Sequence, residues 1–416
     1  MIIIFYNKYL KEEEEDISNF IKLRQSFYGN EVYGVEDFEK FKFLITLFGK
    51  QQQNYYLVLS GSASKEFLDS GYYDNNRVMD FIIYCYDKNK YLPLKEKYHS
   101  ISMIEDENFD NVIEKIKTTI PSEENSFFEV KNYSSFLIEE EYKGSPLEKH
   151  IEMSKFFDEN YETPSFDENI KKEIIELLNK IAQTKNEFEE AKEIIENIYD
   201  EKDLINCYTA DSIIVYCLNK CLREVDNKFI KFAGLLNYAL YKYYYDNPEI
   251  NVTQDTIFYR KLIISIKDLY SYDIFENHII CFPSFTSTSI DENAFSFPEI
   301  KKHNSSMFKD KELNKNFGQY REKCVLLKIY YKYDELNQCP AFDIKYCSDF
   351  QNEKEFAFPP FSFFRILKFN SNSGTSEDPV VIELEVIPRK QNLERKLKFG
   401  GSIFYNTINN CMDWEE

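Results

Sequence analysis

The apolar residues of this chain change their period once, and that change bounds the fold. From Leu204 to Tyr245 they recur at helical spacing. Ile213, Ile214, Cys217, Leu218, Cys221 and Leu222 make one face, and Leu235, Leu236, Ala239 and Leu240 continue it after a break near Asp226-Asn227. Pro248 closes the segment. From Thr256 onward the apolar runs are short and strand-like: Ile257 to Tyr259, Ile279 to Phe282, Cys324 to Tyr331, Glu355 to Phe358, Ser362 to Phe369 and Val380 to Val386. Helices first and strands afterwards describe an α+β domain. Upstream, Ile174, Ile175, Leu178, Ile181 and later Ile194, Ile195 and Ile198 recur near helical period, so Glu168 to Asp200 reads as one or two amphipathic helices.

The first 118 residues have another rhythm. Tyr55 to Ser60 is an apolar run leading into Gly61-Ser62, and Ser64 is the expected N-cap of a helix to Leu68. Val78 to Tyr86 reads as a buried strand, Leu92 to Tyr98 as a helix, Ile101 to Ile104 as a strand and Phe109 to Lys117 as a helix. This alternation predicts a small α/β domain with a parallel sheet. Ser60-Gly61-Ser62 before a helix has the form of an anion cradle. It lacks G-x-G-x-x-G and GK[ST], so a plain strand-to-helix turn is the better reading, and the domain is assigned no chemistry. Residues 119–164 are polar and broken by Pro121, Pro146 and Pro164, and read as a linker. The expected division is therefore 1–118, an α/β domain; 119–164, a linker; and 165–416, an α+β domain.

A formal charge of −21 disfavours nucleic acid and anionic lipid as partners. The one basic cluster, Arg389 to Lys398, is short and interrupted. Nine cysteines with no C-x-x-C pair, and His99, His150, His278 and His303 scattered, give no zinc or disulfide framework, and no metal is expected. Cys217 and Cys221 read as core thiols. No run of about 20 apolar residues exists to span a membrane, and the acidic start does not read as a signal peptide. The expectation is a cytoplasmic chain. With 37 Phe and 32 Tyr, aromatic stripes reflect coding bias and mark no cofactor box.

Glu353 and Glu355 flank Lys354 and lead into Phe356 to Phe358. If Glu353 to Phe358 is a strand, both carboxylates share one face, about 6.5–7 Å apart. One substrate can touch both, and a cationic ligand would relieve their mutual repulsion. Two other elements carry chemistry. TIFYRKL, Thr256 to Leu262, places Arg260 at the end of an apolar strand, and FPSFTSTSI, Phe282 to Ile290, contains Ser287, Thr288 and Ser289. As a strand, the triplet turns Ser287 and Ser289 to one face and Thr288 to the other.

These three motifs, with Tyr208 to Arg223 (YTADSIIVYCLNKCLR) upstream, occur in the order of the mono-ADP-ribosyltransferases of the arginine-serine-glutamate class, which the chain resembles over roughly residues 165–390. The resemblance implies a helical lead followed by two packed, antiparallel-rich sheets around an NAD cleft. It implies that Arg260 clamps the NAD pyrophosphate, as a fixed guanidinium suits. Ser287 would hold the catalytic glutamate and the nicotinamide ribose, with Thr288 and Ser289 beside it. Glu355 would be the catalytic glutamate, stabilising positive charge on the ribose as nicotinamide leaves. Glu353 would mark arginine as the acceptor, with Phe350 in the substrate-recognition turn. One position departs from the pattern: the family usually has glycine after the arginine, and here Lys261 stands there, where it would add a phosphate contact or weaken NAD binding. The expected function is NAD-dependent transfer of a single ADP-ribose to an exposed arginine of a protein partner. The alternatives are a binding protein that keeps the fold without turnover, and an NAD glycohydrolase.

Overall fold

The computed structural model describes residues 1–27, 31–50, 53–71, 77–106, 108–119, 136–137, 153, 167–210, 212–297, 322–333, 337–348, 351–387 and 389–390. In chain order the elements are β1 (Ile2–Tyr6), α1 (Glu14–Ser26), β2 (Glu31–Val35), α2 (Phe38–Lys50), β3 (Tyr55–Ser60), α3 (Gly61–Asp69), β4 (Val78–Tyr84), α4 (Lys88–Lys97), β5 (Ile101–Glu105), α5 (Phe109–Thr119) and β6 (Phe136–Leu137). Five helices follow: α6 (Glu168–Ile181), α7 (Lys185–Glu196), α8 (Glu201–Thr209), α9 (Ile213–Glu224) and α10 (Ile230–Asp246). The rest is β7 (Thr256–Ser265), α11 (Ile266–Ile274), β8 (Ile279–Phe282), β9 (Thr286–Ser289), β10 (Glu322–Tyr331), β11 (Asn337–Gln338), β12 (Phe342–Asp343), β13 (Glu355–Phe358), β14 (Ser362–Asn370), β15 (Val380–Val386) and β16 (Arg389–Lys390). Most of the expected linker lies outside the described residues, as do its three prolines and Phe350. No described helix is long and apolar enough to cross a membrane.

Two compact units result. The first is built on a parallel sheet in the order β2-β1-β3-β4-β5. β1 is buried from end to end, as a parallel strand covered on both faces is. Gly34 on β2 makes one close approach possible: a Cβ there would meet the Phe20 ring at 2.5 Å. The helix after β3 starts earlier than its expected cap. Ser60 Oγ accepts from Ala63 N at 3.3 Å, whereas Ser64 is buried and donates its hydroxyl to Gly61 O at 2.7 Å. A Cβ on Gly61 would meet the Tyr91 ring at 2.4 Å, so the glycine makes room for that ring.

The first unit also takes residues Ile264–Glu276, where the sequence pattern expects 165–416 to form one domain. The physical reason is α11. Ile266 joins the core of Ile4, Phe41, Leu57 and Phe67, and Tyr270 packs against it. Asp273, 3% exposed, lies between Lys11 Nζ at 2.5 Å and Lys40. Arg24 donates to Ser271 Oγ at 3.1 Å, and Phe20 stacks on Phe275 with centroids 5.7 Å apart.

In the second unit, helices α6 to α10 share a core with the sheet. Side-chain caps start several of them: Asp167 on α6, Thr184 on α7, and an Asp200–Asp203 capping box on α8. Cys217 and Cys221 lie in this core, and burial pushes their thiols up to about 11 and about 12, so they stay protonated. The strands are linked in one nine-stranded order, β12-β13-β9-β7-β10-β15-β14-β8-β6, where two packed sheets are expected from the resemblance. Pairing is mostly antiparallel, with β10 and β15 parallel. β11 and β16 pair separately. The order brings β13, β9 and β7 side by side, and these carry the candidate residues.

Candidate functional site

Glu355 opens β13 and is 5% exposed. Its backbone pairs with Ser289 on β9, and Ala357 pairs with Ser287. Ser287 is thus the diagonal neighbour of Glu355 on the same face, within side-chain reach, and its hydroxyl is hydrogen-bonded to the Glu355 carboxyl. Arg260 on β7 donates from Nη1 to the Ser287 carbonyl at 2.7 Å. Three side chains from distant parts of the chain therefore meet around Ser287.

Tyr208, from α8, completes the group. Its hydroxyl lies 2.8 Å from Ser287 Oγ. Burial, and then the Glu355 charge, push the phenol far above its ordinary value, so it remains a donor. An ionised Glu355 accepts from Ser287, which leaves Ser287 Oγ to accept from Tyr208. Asn219 of α9 donates to the Tyr208 oxygen in turn. One turn along, Arg223 has its guanidinium pKa lowered by burial first and by the charge of Arg260 second, so the two guanidiniums are electrostatic neighbours. Tyr208, Asn219 and Arg223 lie within the stretch that carries the resemblance, but no role followed for them from sequence. The available signal was the i, i+4 spacing of Asn219 and Arg223, which puts both on one helical face.

Burial lifts the Glu355 carboxyl to about 7, the nearby Glu353 charge adds to this, and the Ser287 hydrogen bond and Arg260 act against it. Burial also raises Glu353. Their relation is not the one expected. Glu353 ends a 3-10 turn, Gln351–Glu353, and Lys354 adopts φ +47° before the strand begins at Glu355. Strand alternation therefore does not place the two carboxylates on one face. Glu353 is held instead by Ser289, whose Oγ donates to the Glu353 carbonyl at 2.5 Å and accepts from Asp291 N at 2.9 Å. Thr288 is fully buried and donates to the Phe356 carbonyl at 2.9 Å. Both hydroxyls thus hold backbone in place, whereas the Ser287 hydroxyl is bonded to the carboxylate. Lys261 Nζ lies over the Phe297 ring, 5.5 Å from its centroid, with Asp291 within reach of its charge. Phe350 is outside the described residues.

No protein-family model matches the chain, and no curated protein matches it. Solved structures similar to part of it include Plx2a, an ADP-ribosyltransferase toxin from Paenibacillus larvae (16% identity, 51% of this chain and 96% of that one, TM-score 0.28). Another is the ADP-ribosyltransferase HopU1 of Pseudomonas syringae pv. Tomato DC3000 (16%, 58% and 98%, TM-score 0.30). A third is the type III effector XopAI from Xanthomonas axonopodis pv. citri (14%, 58% and 97%, TM-score 0.35). At these TM-scores the likeness assigns neither activity nor substrate to this chain.

The chemistry open to the site follows from its own residues. A carboxylate poised near neutrality in a dry pocket can oppose positive charge that develops beside it. Two adjacent guanidiniums match a doubly charged oxyanion such as a pyrophosphate, whose oxygens accept bidentate hydrogen bonds. Among the described residues no group of His, Cys, Asp or Glu side chains is placed to hold a metal ion.

Proposed function

We propose that the second unit is an NAD-dependent mono-ADP-ribosyltransferase that modifies arginine side chains of a protein partner. The observation that carries the proposal is the buried Glu355 carboxyl bonded to Ser287, whose carbonyl is held by Arg260. In this reading NAD is a substrate. Arg260 and Arg223 receive its pyrophosphate, and Glu355 opposes the charge that forms on the ribose as the bond to nicotinamide breaks. A guanidino nitrogen of the acceptor forms the new bond, and its proton passes to Glu353. Lys261, engaged with Phe297, is a phosphate contact only if it leaves that ring on binding.

Nicotinamide release, with and without agmatine, tests the reading. Glu355→Gln keeps shape but not charge, and should slow release by about 100-fold or more while NAD still binds. Release by the parent chain without a labelled acceptor would favour a glycohydrolase, and no release at all a binding protein. Glu353→Gln should spare release and lower the ratio of ADP-ribosyl-agmatine to free ADP-ribose. A ratio equal to the parent's would remove the main support for arginine as acceptor.

A further inference from the structure

A cavity of about 820 Å³ opens in the second unit next to the catalytic candidates. Arg260, Ser287 and Glu355 do not line it, but their chain neighbours do: Tyr259 before Arg260, Ile290 after Ser289 and Phe356 after Glu355. Another wall is the turn around Tyr346, which precedes the Glu353 turn, and the remaining one is the segment from Glu249 to Asp255.

The charged groups of this cavity are mostly acidic: Glu249, Asp255 and Asp343 against Lys345. Lys345 is its one cationic lining residue, and it pairs with Asp343 at 3.1 Å while lying 4.7 Å from the Tyr346 centroid, so those two charges cancel. Glu249 and Asp255 form no ion pair among the described residues. Asp255 Oδ1 accepts only a backbone bond, from Tyr333 N at 2.8 Å. Two carboxylates without an ion pair and four aromatic rings, Tyr243, Tyr259, Tyr346 and Phe356, suit a ligand that donates hydrogen bonds and carries positive charge. They repel an anion.

We propose that this cavity receives a second basic side chain of the acceptor polypeptide, a lysine or arginine flanking the arginine to be modified. The identity of the occupant rests on the transferase reading; the preference for a cation does not. Phe356, the residue after Glu355, forms part of the cavity wall, which fits a side chain a few residues from the reacting one.

The test uses the full chain and labelled Gly/Ser peptides containing either one arginine or one arginine and one nearby lysine. Binding is read by fluorescence anisotropy at fixed ionic strength. The parent should bind the two-cation peptide about tenfold more tightly, the worth of one charge-assisted hydrogen bond. Glu249→Gln with Asp255→Asn, both exposed and isosteric, should abolish the difference. Glu189→Gln with Glu190→Gln, an equal charge loss on the exposed face of α7, should keep it. No preference in the parent, or an equal loss in both variants, would overturn the proposal. Displacement of the peptide by spermidine at equal affinity would overturn the polypeptide as occupant. Nicotinamide release in the presence of agmatine separates the two readings. Release without peptide discrimination sinks the cavity's role alone, and discrimination without release sinks the transferase alone.

Discussion

Burial does most to lift the Glu355 carboxyl to about 7, so its charge is present only toward the alkaline side of neutrality. The working form in the proposed reaction is the carboxylate. The kcat/KM for NAD should therefore rise about tenfold per pH unit below 7 and level off above it. Glu353→Gln removes a charge that opposes ionisation and should move that midpoint down. An unmoved midpoint would mean that the Glu353 charge does not reach Glu355. The same shift has a cost in stability. The folded value stands above the ordinary 4.5, so the neutral form stabilises the fold fully below 4.5, and that contribution is lost as pH rises through 7. Glu355→Gln should therefore unfold at higher urea than the parent at pH 8, by on the order of 3 kcal/mol. The gap should narrow at pH 6, and equal stability at pH 8 would show the carboxylate better solvated than its burial implies. Arg260, Ser287 and Glu355 were legible in sequence because their chemistry is particular to their residue types. The geometry of Glu353 was not. Lys354 takes a left-handed backbone with no glycine or asparagine to announce it, beside a Glu353 carbonyl tied to a serine 64 positions away.

Among the elements, β8, β13 and β15 run where the apolar pattern placed them, because the covered strands β8 and β13 leave short apolar runs and the half-covered β15 an alternating one. α11 escaped notice. It is nine residues between two strands, and its apolar side faces a core assembled from residues more than 160 positions earlier. Local spacing in so short a helix carries little signal. What holds it can be measured. Asp273→Asn leaves Lys11 and Lys40 around a neutral amide. Removing one partner of a buried pair costs about 3–5 kcal/mol, and the partial exposure of the lysines, 22% and 23%, reduces this to about 2. Urea unfolding should show that loss, and a change below about 0.5 kcal/mol would place the lysines in solvent instead.

At the scale of the whole molecule, the sequence pattern suggests that removal of residues 1–118 leaves an intact catalytic unit. Membership of α11 in the first unit changes the expectation. The truncated chain keeps Ile266 and Tyr270 but loses the core against which they pack. It should elute from a sizing column as aggregate, or unfold at lower temperature than the parent. A monodisperse fragment with the parent's melting temperature would show that α11 contributes nothing outside the first unit.

The route of the chain also sets an order of assembly. The strands and helices of the first unit leave the ribosome early, but the helix that closes it ends at Ile274. Synthesis must pass β7 before that helix exists. Until then Asp273 is missing from between Lys11 and Lys40, and Ile266 from the core it joins. Closing so long a loop is slow even though its entropic cost grows only slowly with length. The nascent first unit is therefore an incomplete fold until α11 emerges, and this is the stage at which a chaperone would have most to protect.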